Sequence, residues 1–179
     1  MSIYFTHFPK ILYDIEKTGN PTLVTDIIRR VKARDGIKQN SFMFDKYDIK
    51  SGDTPETVSY NVYGSTQYYW IILLTNDMKD RFYDWPLSDQ QFEAFVNDKY
   101  SNPSGIHHYE KVQSSGAITG NGPDDYDHYI EVNSTEPNAI SVSNYEYERR
   151  LQDQKRQINL IKNSYLQSFL SEFKRLVRK

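Results

Sequence analysis

Residues 47–76 of this 179-residue chain read YDIKSGDTPETVSYNVYGSTQYYWIILLTN, and this stretch decides the fold. Apolar and polar residues alternate from Phe44 to Ile49, which predicts a β-strand with one buried face. The triplet Ser51-Gly52-Asp53 follows directly and is typical of a tight turn. The most ordered part of the chain is therefore expected to begin with a strand and a turn.

Two short helices are expected after this turn. Asp53 followed by Glu56 predicts a capped helix start, and Gly64 is typical of a left-handed helix end. The second helix is expected to carry Trp70 and to end at Asn76. Helices this short are marginal in water, so both must pack on each other and on the strand.

Upstream of this core, residues 1–45 are expected to form a packing segment with one short helix. Asn20-Pro21 resembles a helix start because proline is favoured at the first helical position. The apolar residues that follow recur on one helical face: Leu23, Val24, Ile27, Ile28 and Val31. The pattern stops at Asp35-Gly36, where a turn is expected.

Downstream, residues 46–86 form the strand–helix–helix segment, and residues 87–144 are expected to hold a helix followed by a hairpin. Ser88 is a candidate cap for the helix. His107–Val112 and Tyr126–Val132 are expected to pair as strands. The segment between these strands is rich in glycine, which indicates a long loop.

The last segment, residues 145–179, is predicted to be one amphipathic helix because it contains neither glycine nor proline. A stripe of apolar residues repeats with a mean spacing close to 3.6: Ile158, Ile161, Tyr165, Phe169, Phe173 and Leu176. So wide a stripe must be buried. Either it folds back on the chain's own core, or it binds a partner chain.

The composition favours a protein that binds other proteins. The chain has 15 Tyr, 9 Phe and 2 Trp, and tyrosine and tryptophan are enriched at protein interfaces. The net charge of −2 is uneven, because nine Lys or Arg residues and two acids lie between Arg149 and Lys179. We interpret those cations as the solvated face of a helix, since the acidic remainder would repel nucleic acid.

The sequence offers no catalytic or metal-binding motif that we can identify. Without cysteine there is no disulfide and no thiolate ligand. His107, His108 and His128 lie near several aspartates, but their spacing matches no metal-ligand motif. No apolar run approaches the length of a membrane span, and no secretory signal is visible. We expect no cofactor, no metal, no nucleic acid and no enzymatic activity.

The central stretch resembles the LysM module, a small βααβ fold that in many proteins binds N-acetylglucosamine polymers such as peptidoglycan. The resemblance is carried by eleven positions: Tyr47, Ile49, Gly52, Asp53, Thr54, Val58, Tyr63, Gly64, Trp70, Ile71 and Asn76. It implies a closing strand, for which Arg81-Phe82-Tyr83 is the candidate, and a sugar groove between that strand and the first turn. The glycine expected before the closing strand is missing.

A wider resemblance, carried by THFPKILYDI, TLVTDIIRRV, the central stretch and FYDWPLSDQQFEAFVNDKY, is to the baseplate wedge protein 53 family of T-even-type contractile-tailed phages. It implies a structural virion protein, made in the host cytoplasm, that joins wedge subunits and neighbouring wedges into the sixfold ring around the hub. The alternative is carbohydrate binding through the LysM-like module. Either way the fold expected is α+β: the module with additional helices, a hairpin region and a long C-terminal helix.

Overall fold

The computed structural model describes residues 4–29, 32, 42–113 and 128–178. The chain divides into two compact units, each described here by itself. The first unit comprises Met1–Pro86 with Lys155–Lys179, and the second comprises Leu87–Gln154. Helices and antiparallel sheets occur together in the chain, so the predicted α+β class is confirmed.

Seven strands and five α-helices lie in the described part of the chain. The strands are β1 (Lys10–Tyr13), β2 (Thr22–Thr25), β3 (Phe44–Asp48), β4 (Ile106–Gln113), β5 (His128–Val132), β6 (Ile140–Ser143) and β7 (Gln157–Ile161). The helices are α1 (Pro55–Tyr63), α2 (Tyr69–Thr75), α3 (Asp89–Lys99), α4 (Asn144–Arg156) and α5 (Asn163–Arg178). Single 3-10 turns lie at Phe5–His7 and Thr66–Tyr68.

The first unit is built around the antiparallel pair β3–β7. The predicted strand at Phe44 is confirmed, and its partner comes from the far end of the chain, with Phe44 opposite Ile161 and Tyr47 opposite Ile158. The pairing continues past β3, since the Ile49 amide donates to the Arg156 carbonyl at 2.9 Å. The strand that closes the module is therefore more than 80 residues away from α2 in sequence.

The cap of α1 lies one residue later than the sequence suggested. Thr54 accepts the Thr57 amide at 3.2 Å, and the Thr57 hydroxyl accepts the Thr54 amide at 2.8 Å, which completes a capping box. The predicted Asp53–Glu56 cap is wrong because the Asp53 carboxylate bonds other groups within the turn. The left-handed end at Gly64 is confirmed by its φ of 71°.

Two apolar clusters form the core of the first unit, and both depend on the C-terminal segment. The larger contains Phe8, Phe44, Trp70, Ile71, Ile161, Leu166, Leu170, Phe173 and Val177. The smaller contains Ile49, Val58, Ile72, Trp85, Ile158 and Leu160. Every one of these side chains is buried, so β7 and α5 contribute the interior against which β3, α1 and α2 pack.

The prediction of one helix over residues 145–179 is wrong, because β7 separates α4 from α5. Ile158 and Leu160 lie on one face of β7 and are buried in the smaller cluster, whereas Ile161 lies on the other face and is buried in the larger one. The backbone of β7 pairs with β3, and just beyond the strand the Lys162 amide donates to the Met43 carbonyl at 2.9 Å. Pairing with a distant strand outweighs the local helix propensity that the spacing suggested.

The predicted helix after Asn20-Pro21 is also wrong. Residues 22–25 form β2, which pairs with β1 so that Leu12 lies opposite Leu23 and Ile11 opposite Val24. Three of the four residues in β2 are β-branched, which favours an extended backbone. Val31 and Asp35-Gly36, which completed the helical pattern, lie outside the described residues.

In the second unit a three-stranded antiparallel sheet has the order β5-β4-β6. The predicted hairpin is confirmed, with Tyr109 opposite Val132 in β4 and β5, and its tip (114–127) lies outside the described residues. The predicted cap is confirmed because Ser88 forms a capping box with Gln91 at the start of α3. Strand β6 was not predicted; its four residues have no long alternating pattern.

Two buried or half-buried carboxylates hold the second unit together. Glu148 accepts from the Lys99 ammonium at 2.7 Å and the Tyr100 hydroxyl at 2.8 Å. Both carboxylate oxygens of Glu110 accept from the Arg150 Nη1, at 2.8 and 2.7 Å. Burial raises the pKa of each carboxyl, but these hydrogen bonds outweigh burial and leave each pKa below its ordinary value.

This network should make the second unit sensitive to acid. A carboxyl whose pKa is lower in the folded state stabilises the fold above its unfolded pKa of about 4.3, and that contribution is lost as the pH falls through the folded value. We therefore expect amide exchange in β4 and β5 to accelerate between pH 5 and about pH 3 beyond its intrinsic pH dependence. Glu148→Gln should weaken protection already at pH 7, and equal protection in both proteins would contradict this role.

Candidate functional site

The turn after β3 is fixed by its own side chains. Gly52 has a φ of 86°, which glycine adopts readily. The Asp53 carboxylate accepts from the Tyr47 hydroxyl at 2.9 Å and from the Lys50 amide at 3.1 Å. Burial, followed by the hydrogen bond to Asp53, raises the pKa of Tyr47. These signature positions thus hold a rigid turn at the start of α1.

Residues 79–85, which we call the aromatic turn, fold over this first turn. The Trp85 indole is 7% exposed and donates to the Asp53 carbonyl at 2.8 Å. Arg81 forms an ion pair with Glu56 of α1 at 2.6 Å. The proposed closing strand at Arg81-Phe82-Tyr83 is wrong, since these residues form turns and β7 takes the place of that strand.

The aromatic turn presents two large side chains to solvent. Phe82 is 81% exposed and Tyr83 is 76% exposed. The backbone beneath them is ordered, because the Asp84 carboxylate accepts the amides of Lys79 and Asp80 at 2.7 and 2.9 Å. These two hydrogen bonds lower the pKa of Asp84. Exposed aromatic side chains on a hydrogen-bonded turn are candidates for anchors of a protein interface.

The other signature residues stabilise the core. Ile49, Val58, Trp70 and Ile71 are buried. The Tyr63 hydroxyl donates to the Ile161 carbonyl at 3.0 Å, and burial raises the pKa of Tyr63 to about 12. A structural role thus accounts for these positions.

Asn76 joins α2 to β7 through its amide side chain. Its nitrogen donates to the Asn159 carbonyl at 2.9 Å, and its oxygen accepts the Asn159 amide at 2.9 Å. The same nitrogen donates to the Ile72 carbonyl at the end of α2. The side chain therefore satisfies backbone groups in two elements at once.

Removing this side chain should weaken the first unit. We expect Asn76→Ala to lower the free energy of unfolding by about 1–3 kcal/mol, because partly buried backbone groups lose their partners. Both tryptophans of the chain, Trp70 and Trp85, belong to this unit, so urea unfolding followed by tryptophan fluorescence reports on it. The matched control is Asn61→Ala, at an exposed position of α1, and equal losses in both variants would contradict the role of Asn76.

Among the described residues of the first unit, several exposed apolar side chains lie on and beside the hairpin β1–β2. Leu12 and Leu23 form a cross-strand pair and are 68% and 61% exposed. Further exposed apolar side chains lie at the end of β1 and just beyond the two strands: Tyr13, Ile15, Ile27 and Ile28. The sequence pattern does not reveal this surface, because Leu23, Ile27 and Ile28 also fit a helical stripe. The β-branched run TLVT was the available signal for a strand.

The predicted C-terminal stripe is divided by the fold. Ile158, Ile161 and Phe173 are buried in the clusters of the first unit, and Phe169 packs against the larger cluster. Tyr165 and Leu176 remain 39% and 36% exposed. Of the two alternatives for the stripe, folding back on the chain's own core describes most of its residues.

The described residues offer neither a metal site nor a membrane-spanning helix. No group of three or more His, Asp or Glu side chains is placed to hold a metal ion within the described ranges. Three aspartates close to His128 in the sequence lie outside those ranges: Asp124, Asp125 and Asp127. No helix in the described part of the chain is long and apolar enough to span a membrane.

Comparison with known proteins identifies the family. The profile of the family described as Base plate wedge protein 53 matches residues 3–114, which include the hairpin, the central module and the aromatic turn. The chain is 29% identical over 189 aligned positions to the baseplate wedge protein gp53 of Enterobacteria phage T4, with 98% of this chain and 96% of that protein covered. Since the profile spans more than half of the sequence, the chain belongs to the Base plate wedge protein 53 family.

Proposed function

We propose that this protein is a structural subunit of the baseplate wedge in a phage tail. The single observation that carries this conclusion is membership of the wedge protein 53 family, together with similarity to a wedge protein over nearly its full length. The protein is located in the tail baseplate of the virion and reaches it by assembly in the host cytoplasm. Its partners are other baseplate proteins.

The finer part of the proposal concerns how the subunit acts. It joins wedge subunits, and neighbouring wedges, into the sixfold ring around the hub without catalysing a reaction. Support comes from the exposed apolar side chains of the β1–β2 hairpin and the aromatic turn, both within the matched range. Exposed apolar side chains that lie close together in this way favour a protein interface, since permanent interfaces have apolar centres.

The carbohydrate-binding alternative receives no support from the contacts of the module. The resemblance implies a groove between the first turn and a closing segment, but the aromatic turn packs its own Trp85 on the Asp53 carbonyl there. Arg81 is held by Glu56 in the same region. A groove occupied by the chain's own side chains favours a structural use of the module over sugar binding.

A complementation experiment tests the proposed function. The phage that encodes this chain is given a nonsense mutation in the gene for the chain. Cells that supply the protein from a plasmid, and cells that do not, are infected with this mutant phage. We expect complete baseplates only when the protein is supplied, and we expect it to be present in purified tails. The double variant Phe82→Ser/Tyr83→Ser should reduce incorporation, whereas Tyr129→Ser, an exposed aromatic outside the matched range, should not. Normal tails that lack the protein would overturn the proposal.

A further inference from the structure

The outer edge of β1 carries backbone groups that the hairpin does not use. The Asp26 amide donates to the Pro9 carbonyl at 2.9 Å, which makes Pro9 and Asp26 a hydrogen-bonded pair of the ladder. Such pairs alternate along an antiparallel ladder, so Ile11 is hydrogen-bonded to Val24 in the same way. The N–H and C=O groups of Lys10 and Leu12 therefore point away from β2.

This edge is free within the ranges that the structure describes. No hydrogen bond from those ranges reaches the outward backbone groups of Lys10 or Leu12, and the Lys10 ammonium has no ion pair there. All four residues of β1 are exposed. The edge of β2 differs, because Val24 and Thr25 are half-buried and Arg29, just beyond it, donates to the Val177 carbonyl at 2.9 Å.

An extended segment is the partner that fits this edge. A two-stranded sheet with strands of four residues is at best marginally stable, and an added strand would satisfy its unpaired groups. A helix laid on Leu12 and Leu23 would cover their side chains but leave the backbone groups unpaired. An added strand would pair with the outward backbone groups and would also cover one side of the Leu12 side chain.

We propose that another subunit of the assembly adds a β-strand to the outer edge of β1. Lys10 and Leu12 lie on one face of the hairpin, so the added strand should place an acidic side chain opposite Lys10 and an apolar one opposite Leu12. The inference rests on the proposed function for the kind of partner, another baseplate protein. The geometry of the edge itself is independent of that proposal.

Amide hydrogen exchange tests the added strand directly. In the purified protein the amides of Lys10 and Leu12 should exchange freely, whereas in purified tails we expect them to slow about tenfold or more. Unchanged exchange at these amides, in tails that contain the protein, would overturn the inference and leave the proposed function intact. Protection that develops in the purified protein as its concentration rises would assign the edge to a second copy and also overturn it.

Three variants provide a second measurement. Lys10→Pro removes an outward N–H that the hairpin does not use, and should reduce incorporation into tails about tenfold. Lys10→Gln keeps that N–H and should incorporate more than Lys10→Pro. Thr25→Pro removes an outward N–H from the edge of β2 and should incorporate like the unmodified protein. Equal incorporation of Lys10→Pro and Thr25→Pro would contradict strand addition at β1.

Discussion

A chain that ends at Arg156 is expected to lose the fold of its first unit completely. The deletion removes β7, the partner strand of β3, and with it seven buried side chains: Ile158, Leu160, Ile161, Leu166, Leu170, Phe173 and Val177. Burying one such side chain stabilises a protein by about 1.5–3 kcal/mol, and the total stability of a domain is only about 5–15 kcal/mol. No remaining contact can offset a loss of that size.

Tryptophan fluorescence measures this outcome. In the truncated chain, Trp70 and Trp85 should emit as in unfolded protein at every urea concentration, without a cooperative transition. The control replaces residues 87–154 with a flexible Gly/Ser linker of about ten residues. Because the Lys155 ammonium donates to the Tyr83 carbonyl at 2.6 Å, the two ends to be joined lie close together. The control should retain a cooperative unfolding transition. A truncated chain that also unfolds cooperatively would show that the first unit folds without β7.

The second large effect is expected at Phe173, the centre of an aromatic cluster. Its ring lies 4.6 Å from that of Trp70 and 5.7 Å from that of Tyr4, between centroids, and its side chain is 2% exposed. Truncating a buried phenylalanine leaves a cavity that costs about 3–5 kcal/mol. We therefore expect Phe173→Ala to reduce the free energy of unfolding of the first unit by about that amount.

The matched control for Phe173 is on the same helix and in the same predicted stripe. Tyr165 is 39% exposed, so Tyr165→Ala should change stability by about 0.5 kcal/mol or little more. Urea titration of both variants measures the difference. Similar losses from both substitutions would mean that α5 does not present one buried and one exposed side as described.

The comparison of Phe173 with Tyr165 also separates two uses of the stripe. If α5 bound a partner through the whole stripe, Phe173→Ala would impair assembly without affecting the isolated protein. Its burial in the larger cluster instead assigns Phe173 to the chain's own stability. Tyr165 and Leu176, which stay partly exposed, are the members of the stripe that remain candidates for contact with a partner.

Local signals predicted the centre of the fold well. Gly52 and Gly64 mark a turn and a left-handed helix end, and each needs only its immediate neighbours. The β4–β5 hairpin was predicted from two strand-like segments on either side of a glycine-rich segment, which is also a local signal. Where the chain's own neighbours decide the conformation, spacing and residue type are sufficient.

The two wrong helix predictions have one physical cause, which is pairing with another strand. QINLI fits a helical stripe as well as a strand, and only the free edge of β3 selects the strand. TLVT likewise fits a helical stripe, and its partner β1 cannot be recognised from spacing. The exposed hairpin was missed for the same reason, since a strand edge is visible only after both strands are placed.

Electron cryo-microscopy of the tail of the phage that encodes this chain tests the central claim most directly. The account predicts that density in each baseplate wedge fits the first unit, with β7 paired to β3 and the β1–β2 hairpin and aromatic turn in contact with other subunits. Density showing residues 157–161 as part of one continuous helix bound to a partner would contradict the fold. A baseplate without this chain would contradict the function.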